Sequence, residues 1–495
     1  MQKDDKPQRP DPVIAILGSD LGRWQLMVCL WIFLSKFPTG WVQISMTFLS
    51  AAVKVTCKDG SGGNVTDICE ANCKEYEYDR STFEQTVIME WDLVCDREWL
   101  DKLGQTLVML GIMLGNMIMG LLADKWGRRP MFVFSCVLQL IAGCLVSASP
   151  WLWFFLLMRF LDGYATGGTM STGFTIIMEI VGKSKRELMA VLYQIPFNLG
   201  HATLPVFSYF LRHWRWYHFG FSSFSVLYIV YFWVLQVKSP RWLVTTGRID
   251  RAVVLLEKGA KFNNQPTDKI RQDLEAAQKI TQASSTSQKG NLGDLFKHAY
   301  LCQKTIAMAF NWLVVCMVYY GISKYISALT GNIFINNFIA AMLGVPGTCL
   351  CVPATKYMGR RITLFISNLT SGVSLTLLAF GSGFSGPIQV SLATIGLFGA
   401  SVTFSNVYLY AGELFPTVVR PTGVGVCSFV GRVGSMLAPW IEGLKTKHIW
   451  MPPAIFGGFA LAAAASVFLM PETRGYPLPE TIEDGNTFGR KSRQE

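Results

Sequence analysis

The chain of 495 residues is short of charge. Asp, Glu, Lys and Arg make up 16 % of it, against ~25 % in ordinary soluble domains. Histidine is scarcer still, with 5 residues and no two at ligand spacing, so neither a metal site nor a cofactor is expected. No Ser/His/Asp or Cys/His set stands together, which argues against an enzyme. Gly423 and Gly425 lie inside an apolar run with no strand before them, a packing motif and not a nucleotide cradle. No cleavable leader is expected, because the opening residues are polar and Pro-rich and the first apolar run starts near Trp24. Lys and Arg outnumber Asp and Glu, 44 to 33. They cluster in loops beside apolar runs, the positive-inside pattern of a membrane protein and not a nucleic-acid stripe. What the chain has in quantity is apolar surface, at 51 % hydrophobic and 13 % aromatic residues. The partner this implies is the lipid bilayer.

Apolar runs at 24–53, 103–123, 130–149, 151–181, 189–211, 217–236, 305–329, 336–356, 362–381, 389–414, 422–444 and 453–470 predict twelve membrane spans. The fold class read from them is an all-α membrane protein of two six-helix halves. A cytoplasmic start (1–23, with a disordered 1–10) leads into the first half (24–236). A cytoplasmic linker (237–304) carries twice as many basic as acidic residues, two helical sections at 250–261 and 267–280, and a Ser/Thr/Gln tract at 281–288. The second half is 305–470 and the cytoplasmic tail 471–495. Basic inner turns such as Lys125/Arg128/Arg129 and Lys356/Arg360/Arg361 place both termini in the cytoplasm. Arg212, Arg215, Lys445 and Lys447 fall on the outer side as exceptions.

The polar segment 54–101 between the first two spans holds Cys57, Cys69, Cys73 and Cys95 and the sequon Asn64-Val65-Thr66. Four cysteines allow three pairings. With the sequon they predict an extracellular, glycosylated, disulfide-held loop. The spacing lacks the paired CxxC knuckle of a zinc site. The other cysteines lie in or at the edge of apolar runs and read as core filler.

The eleventh span is the stretch around which the rest is organised. Between Pro421 and Glu442 its one ionisable side chain is Arg432, halfway along a Gly-rich helix. A midplane charge costs at least ~3 kcal/mol, so Arg432 must face a wet cavity, a partner or a ligand. Asp162 is the rival partner, although Arg159, one turn away, competes for it. Lys36 is a second midplane cation, in a first span that Pro38 and Gly40 should kink or break. His201 in the fifth span is a candidate for substrate or proton contact.

The halves repeat one another. Gly127-Arg128-Arg129 recurs as Gly359-Arg360-Arg361, and Glu179 with Arg186 recurs as Glu413 with Arg420. Asp124 in the first half stands opposite Lys356 in the second. These residues (Asp124, Arg128, Arg129, Glu179, Arg186, Arg360, Arg361, Glu413, Arg420) predict an inner charge network that latches the halves and opens as the cavity inverts.

On these motifs the chain resembles the major facilitator superfamily, and within it the organic cation/anion/zwitterion transporter family, as an invertebrate member. The resemblance rests on Gly22-Arg23-Trp24-Gln25, on Glu90-Trp91-Asp92-Leu93-Val94-Cys95, on 412–420 with Arg432-Val433-Gly434-Ser435, and on 471–484. It implies a plasma-membrane carrier with no cofactor, acting as a monomer on small organic ions by alternating access. A basic residue at position 432 is similar to organic anion and carnitine-type members, and Tyr319 and Tyr320 match the family's substrate-contacting aromatic pair. Thr348 departs from several anion members, which have lysine there. The expected substrate set is Arg432, Lys36, Tyr319, Tyr320, Trp312, Trp41, Gln194 and His201. Three functions follow: a carrier of organic anions, a carrier of cations or zwitterions whose ammonium group the aromatics cage, and a transporter-shaped receptor that binds without moving its ligand.

Overall fold

The computed structural model describes residues 12–57, 69, 75–227, 239–284, 291–381, 383–477 and 479–489. The expected disordered start at 1–10, Asn64, Cys73, the end of the sixth span at 228–236 and the 285–288 part of the polar tract lie outside them. Nearly everything described is helix, because a bilayer offers backbone groups no water and the chain must satisfy them internally. Among the described residues, nine helical segments are long and apolar enough to cross a membrane.

The first span is three pieces, α1 (Arg23–Leu34), α2 (Lys36–Ile44) and α3 (Met46–Leu49). The break falls at Ser35, before the expected Pro38. Proline lacks the N–H that would bond the carbonyl four residues back, so the damage surfaces at residue 34. Ser35 and Ser45 mark the two breaks, and their hydroxyls bond the Ile32 and Val42 carbonyls. The fifth span divides by the same rule. Pro196 leaves the Leu192 carbonyl without its helical donor, and α7 (Lys183–Leu192) ends there, before α8 (Ile195–Phe210) begins. Between these lie α4 (Trp99–Trp126), α5 (Arg128–Ser147) and α6 (Leu152–Ile180), and after them α9 (Trp214–Ser223).

The second half is α10 (Ala299–Tyr325), α11 (Ile333–Tyr357), α12 (Arg360–Phe380), α13 (Gly386–Leu414), α14 (Arg420–Glu442) and α15 (Met451–Ser466). Within each half the helices pack closely. Gly111 on α4 and Gly163 on α6 sit so near the facing helix that a Cβ would strike the carbonyls of Phe160 and Val108, the close approach small residues permit in membranes. The halves meet along two seams, α8 against α11 and α4 against α14.

The linker folds as expected into helices, Ile249–Phe262 and Ile270–Ser284. They dock on the start of the first span. Asn263 accepts from the Trp24 amide at 2.9 Å and donates to the Leu17 carbonyl at 3.1 Å. In the Cys-bearing segment, strands Val55–Cys57 and Tyr76–Tyr78 pair antiparallel, and Cys69 is bonded to Cys95. Outside the membrane helices here, Tyr78 donates to Asp92 at 2.8 Å, and burial with that bond raises its phenol pKa. Two of the four basic exceptions on this side are neutralised: Arg215 is paired with Glu90, and Lys445 with Glu442.

Candidate functional site

Arg432 lies at the seam between the halves, 3 % exposed. Its Nη1 donates to Oε1 of Gln43 on α2 at 3.2 Å. Tyr320 on α10 donates its hydroxyl to the same oxygen. Gln43 is itself held by Gln105, whose Nε2 donates to the Gln43 carbonyl at 2.8 Å. One amide of the first half thus collects two donors from the second. Among the described residues no carboxylate lies within ion-pair distance of Arg432. The rival pairing with Asp162 is not formed: Asp162 faces Arg159 at 4.0 Å and His218 at 3.8 Å.

A second polar junction lies beside the first. Tyr319 donates to Oδ1 of Asn198 at 3.1 Å, and Asn198 donates to Thr348 at 2.9 Å and to the Gly344 carbonyl at 3.1 Å. His201 Nδ1 stands 3.5 Å from the Tyr319 hydroxyl, and its Nε2 has no hydrogen-bond partner among the described residues. A small cavity opens here between Gln194, Asn198, Tyr319, Thr348, Ser401 and Phe404. Thr348 lines it, so the position where the sequence departs from a lysine pattern faces the same cavity.

Aromatic rings connect the two junctions. Tyr319 meets Tyr320 edge-on at 5.5 Å between centroids and Phe404 at 5.8 Å, while Phe404 leads to Tyr408 at 5.7 Å and Tyr408 to Trp312 at 4.3 Å. Lys36 is buried, with Nζ 4.4 Å above the Tyr193 ring. Trp41 does not join the group. Its indole donates to Thr203 at 2.8 Å, and its ring packs among Phe207, Phe221 and Phe224 inside the first half. On the same helix Gly40 packs so close to the fifth span that a Cβ would strike the Phe197 carbonyl.

Gln43, Asn198, Phe404 and Tyr408 were missed by sequence reasoning. Two are neutral amides with no charge to flag them, and two are aromatics in an aromatic-rich span.

Among the residues expected to latch the halves, the ion pairs described lie within each half. Arg128 pairs with Glu179 at 3.0 Å and with Asp124, joining the ends of α4, α5 and α6. Arg360 pairs with Glu413 at 2.7 Å, joining α12 and α13. Arg186 and Arg420 each turn Nε to a carbonyl at 3.1 Å, of Val181 and Phe415, at the same place in the repeat. The second junction has more: Glu472 accepts from the Arg360 and Arg361 amides at 3.0 Å, Thr473 donates to Glu413, and the Arg361 guanidinium lies over the Phe468 ring at 5.3 Å. Lys356, which stands where the first half has Asp124, lies over the Tyr357 ring at 5.9 Å, and the additional acid at this joint comes from the tail. A tie between halves stands at the opposite end of the bundle, where Asp101 on α4 pairs with Lys324 on α10 at 2.9 Å.

Residues 67–484 match the family model for sugar (and other) transporters. The chain is 35 % identical over 426 residues to an organic cation transporter protein of Drosophila melanogaster, covering 85 % of this chain and 77 % of that one. It is 31 % identical over 402 residues to organic anion transporter 3 of Mus musculus, covering 81 % and 74 %. It is 32 % identical over 417 residues to a beta-alanine transporter of Drosophila melanogaster, covering 83 % and 68 %. Among solved structures it is similar to the inward-open xylose transporter XylE from E. coli, with a TM-score of 0.69 at 14 % identity over 94 % of this chain and 100 % of that one. That likeness concerns the fold.

Proposed function

We propose, from the premise that this chain belongs to the organic cation and anion transporter family of the major facilitator superfamily, that it carries small organic anions or carboxylate-bearing zwitterions across the plasma membrane by alternating access. One observation carries the anion preference. Arg432 is a buried cation at the seam of the two halves, touched by neutral groups alone among the described residues. A guanidinium so placed is poised to fork a carboxylate or sulfonate. Lys36 would add a second positive charge, and the rings of Tyr319, Tyr320 and Tyr408 would hold the ligand's apolar body. Gln43 and Asn198 connect the halves only through breakable hydrogen bonds, which suits a site that must open to either side.

The cation reading has support of its own. Relatives named as organic cation transporters match this chain, and the run of rings from Trp312 to Tyr320 could cage an ammonium group. A zwitterion would use both features. On this reading the chain crosses the membrane twelve times, with both termini cytoplasmic. The segment 54–101 is extracellular with a glycan on Asn64, and the carrier works as a monomer. The experiment is uptake into liposomes holding the purified protein. Benzenesulfonate, tetraethylammonium and beta-alanine are each tested for uptake and for mutual competition. Uptake led by the cation and indifferent to Arg432 would overturn the anion reading. Saturable binding of all three with no uptake would leave a receptor.

A further inference from the structure

A cluster of charges lies buried in the first half, apart from the substrate set. Arg159 and Asp162 on α6 and His218 on α9 are each fully buried. A structural ion pair would be closed by direct hydrogen bonds, since buried polar groups left open are costly. This one is not. Arg159 Nη1 stands 4.0 Å from Asp162, and among the described residues neither carboxylate oxygen of Asp162 has a hydrogen-bond donor and Nε and Nη2 of Arg159 have no acceptor.

The histidine shows what is missing. His218 Nδ1 lies 3.1 Å from the Gly143 carbonyl, which can only accept. Nδ1 also faces the Ser222 hydroxyl at 3.2 Å, but Arg159, which can only donate, stands at Nε2, so the neutral ring is assigned its hydrogen on Nδ1 and a lone pair on Nε2. That lone pair accepts from Arg159 Nη1 at 3.4 Å and faces Asp162 Oδ2 at 3.8 Å. Two acceptors look at each other across a gap that one hydrogen and a closure of about 1 Å would turn into a hydrogen bond. The titratable groups around it are few: Arg159 on the same helix, Tyr217 and His218 from α9, and the Cys144 thiol from α5. The first span contributes Ser45, a neutral hydroxyl that accepts from Arg159 at 3.1 Å, and α4 brings Val108 against Gly163.

We propose that the gap between Asp162 and His218 is a proton-binding site that couples proton movement to passage of the organic anion. A proton from hydronium on one side of the membrane bonds to Asp162 Oδ2, facing His218 Nε2 across the gap, and leaves to water on the other side as hydronium. Nothing is oxidised or reduced. Bound, it changes the cluster from net neutral to net positive and strips Arg159 of its counter-charge. Arg159 then depends on Ser45, and Ser45 is two residues from Gln43, the amide that receives Arg432 and Tyr320. Occupancy of the proton site and of the anion site thus act on one short stretch of the first span. The coupling rests on the anion reading above; the proton site does not.

The test uses the full chain in liposomes with radiolabelled benzenesulfonate, which stays ionised and cannot carry a proton through lipid by itself. Under a gradient of one pH unit, the wild type should accumulate the probe about tenfold above equilibrium for one proton per anion. Asp162→Asn and His218→Gln should still exchange the probe without a gradient but fail to accumulate it. Infrared pH-difference spectra of the purified protein should carry a carboxylic-acid stretch that Asp162→Asn removes. Accumulation by Asp162→Asn equal to wild type, or the loss of no band, overturns the proposal. If benzenesulfonate is not transported at all, the anion reading fails, and the infrared band alone decides the proton site.

Discussion

Arg432 shows how far one residue could be read ahead of the fold. Its charge in an apolar, Gly-rich run called for a cavity, a partner or a ligand, and it stands at the seam against Gln43. Its partner was not legible, because Gln43 is an uncharged amide in a span that Lys36 dominated. The prediction is graded by chemistry. Arg432→Ala should cut anion uptake at least ~30-fold at unchanged surface amount, the loss of ~2 kcal/mol or more expected on removing one side of a buried charge contact. Arg432→Lys should keep part of it, having the charge but not the fork. Gln43→Leu keeps the volume but removes the oxygen that receives Arg432 and Tyr320. It should raise the KM for anions, measured by concentration-dependent uptake, and equal KM values in Gln43→Leu and wild type would detach Gln43 from the site. Trp41 is the counterpart lesson: an aromatic in the right span faced the wrong way, and no sequence feature reported the rotation of a broken helix.

Helices and their junctions were the most legible scale. Pro38 located the break in the first span to within a few residues, since a missing N–H acts at a fixed offset along the helix; the break in the fifth span before Pro196 follows the same rule but was not expected. The repeat paired Glu179 with Glu413 and Arg128 with Arg360 because duplicated helices duplicate their ends. It could not tell whether those pairs tie helices within a half or between halves, as spacing holds no information on the third dimension. Glu413→Gln should weaken the joint of α12 and α13, lowering stability by ~1.5–3 kcal/mol and the melting temperature by several degrees. Thermal melting of the detergent-solubilised protein measures it. Gly163→Leu tests helix contact in the same assay: its side chain would drive α6 off the Val108 carbonyl, and overpacking of this kind costs about 1–3 kcal/mol. A melt unchanged in Gly163→Leu would mean the two helices have room to part.

At the scale of the molecule, two six-helix bodies were expected from hydropathy and repeat, and both seams join one body to the other. The tie of Asp101 to Lys324 was not foreseen, because both residues lie at span ends, where charge is unremarkable. It closes the end of the seam nearest the Cys-bearing segment, with Phe48 stacked on Phe334 at 6.2 Å below it. Asp101→Asn should let that end open more often. A membrane-impermeant thiol reagent should then label a cysteine placed at Tyr320 several-fold faster than in the Asp101 background, and the charge exchange Asp101→Lys with Lys324→Asp should restore the slow rate. The last junction has a consequence for how the protein is made. Glu413 and the Arg360 and Arg361 amides are satisfied by Thr473 and Glu472, which follow the final membrane helix. During synthesis the first half can finish its own joint while the ribosome is still at work. The second must wait with its joint incomplete until almost the whole chain has been delivered, and a chain cut just short of residue 472 would carry the membrane helices of its second half with one corner unfastened.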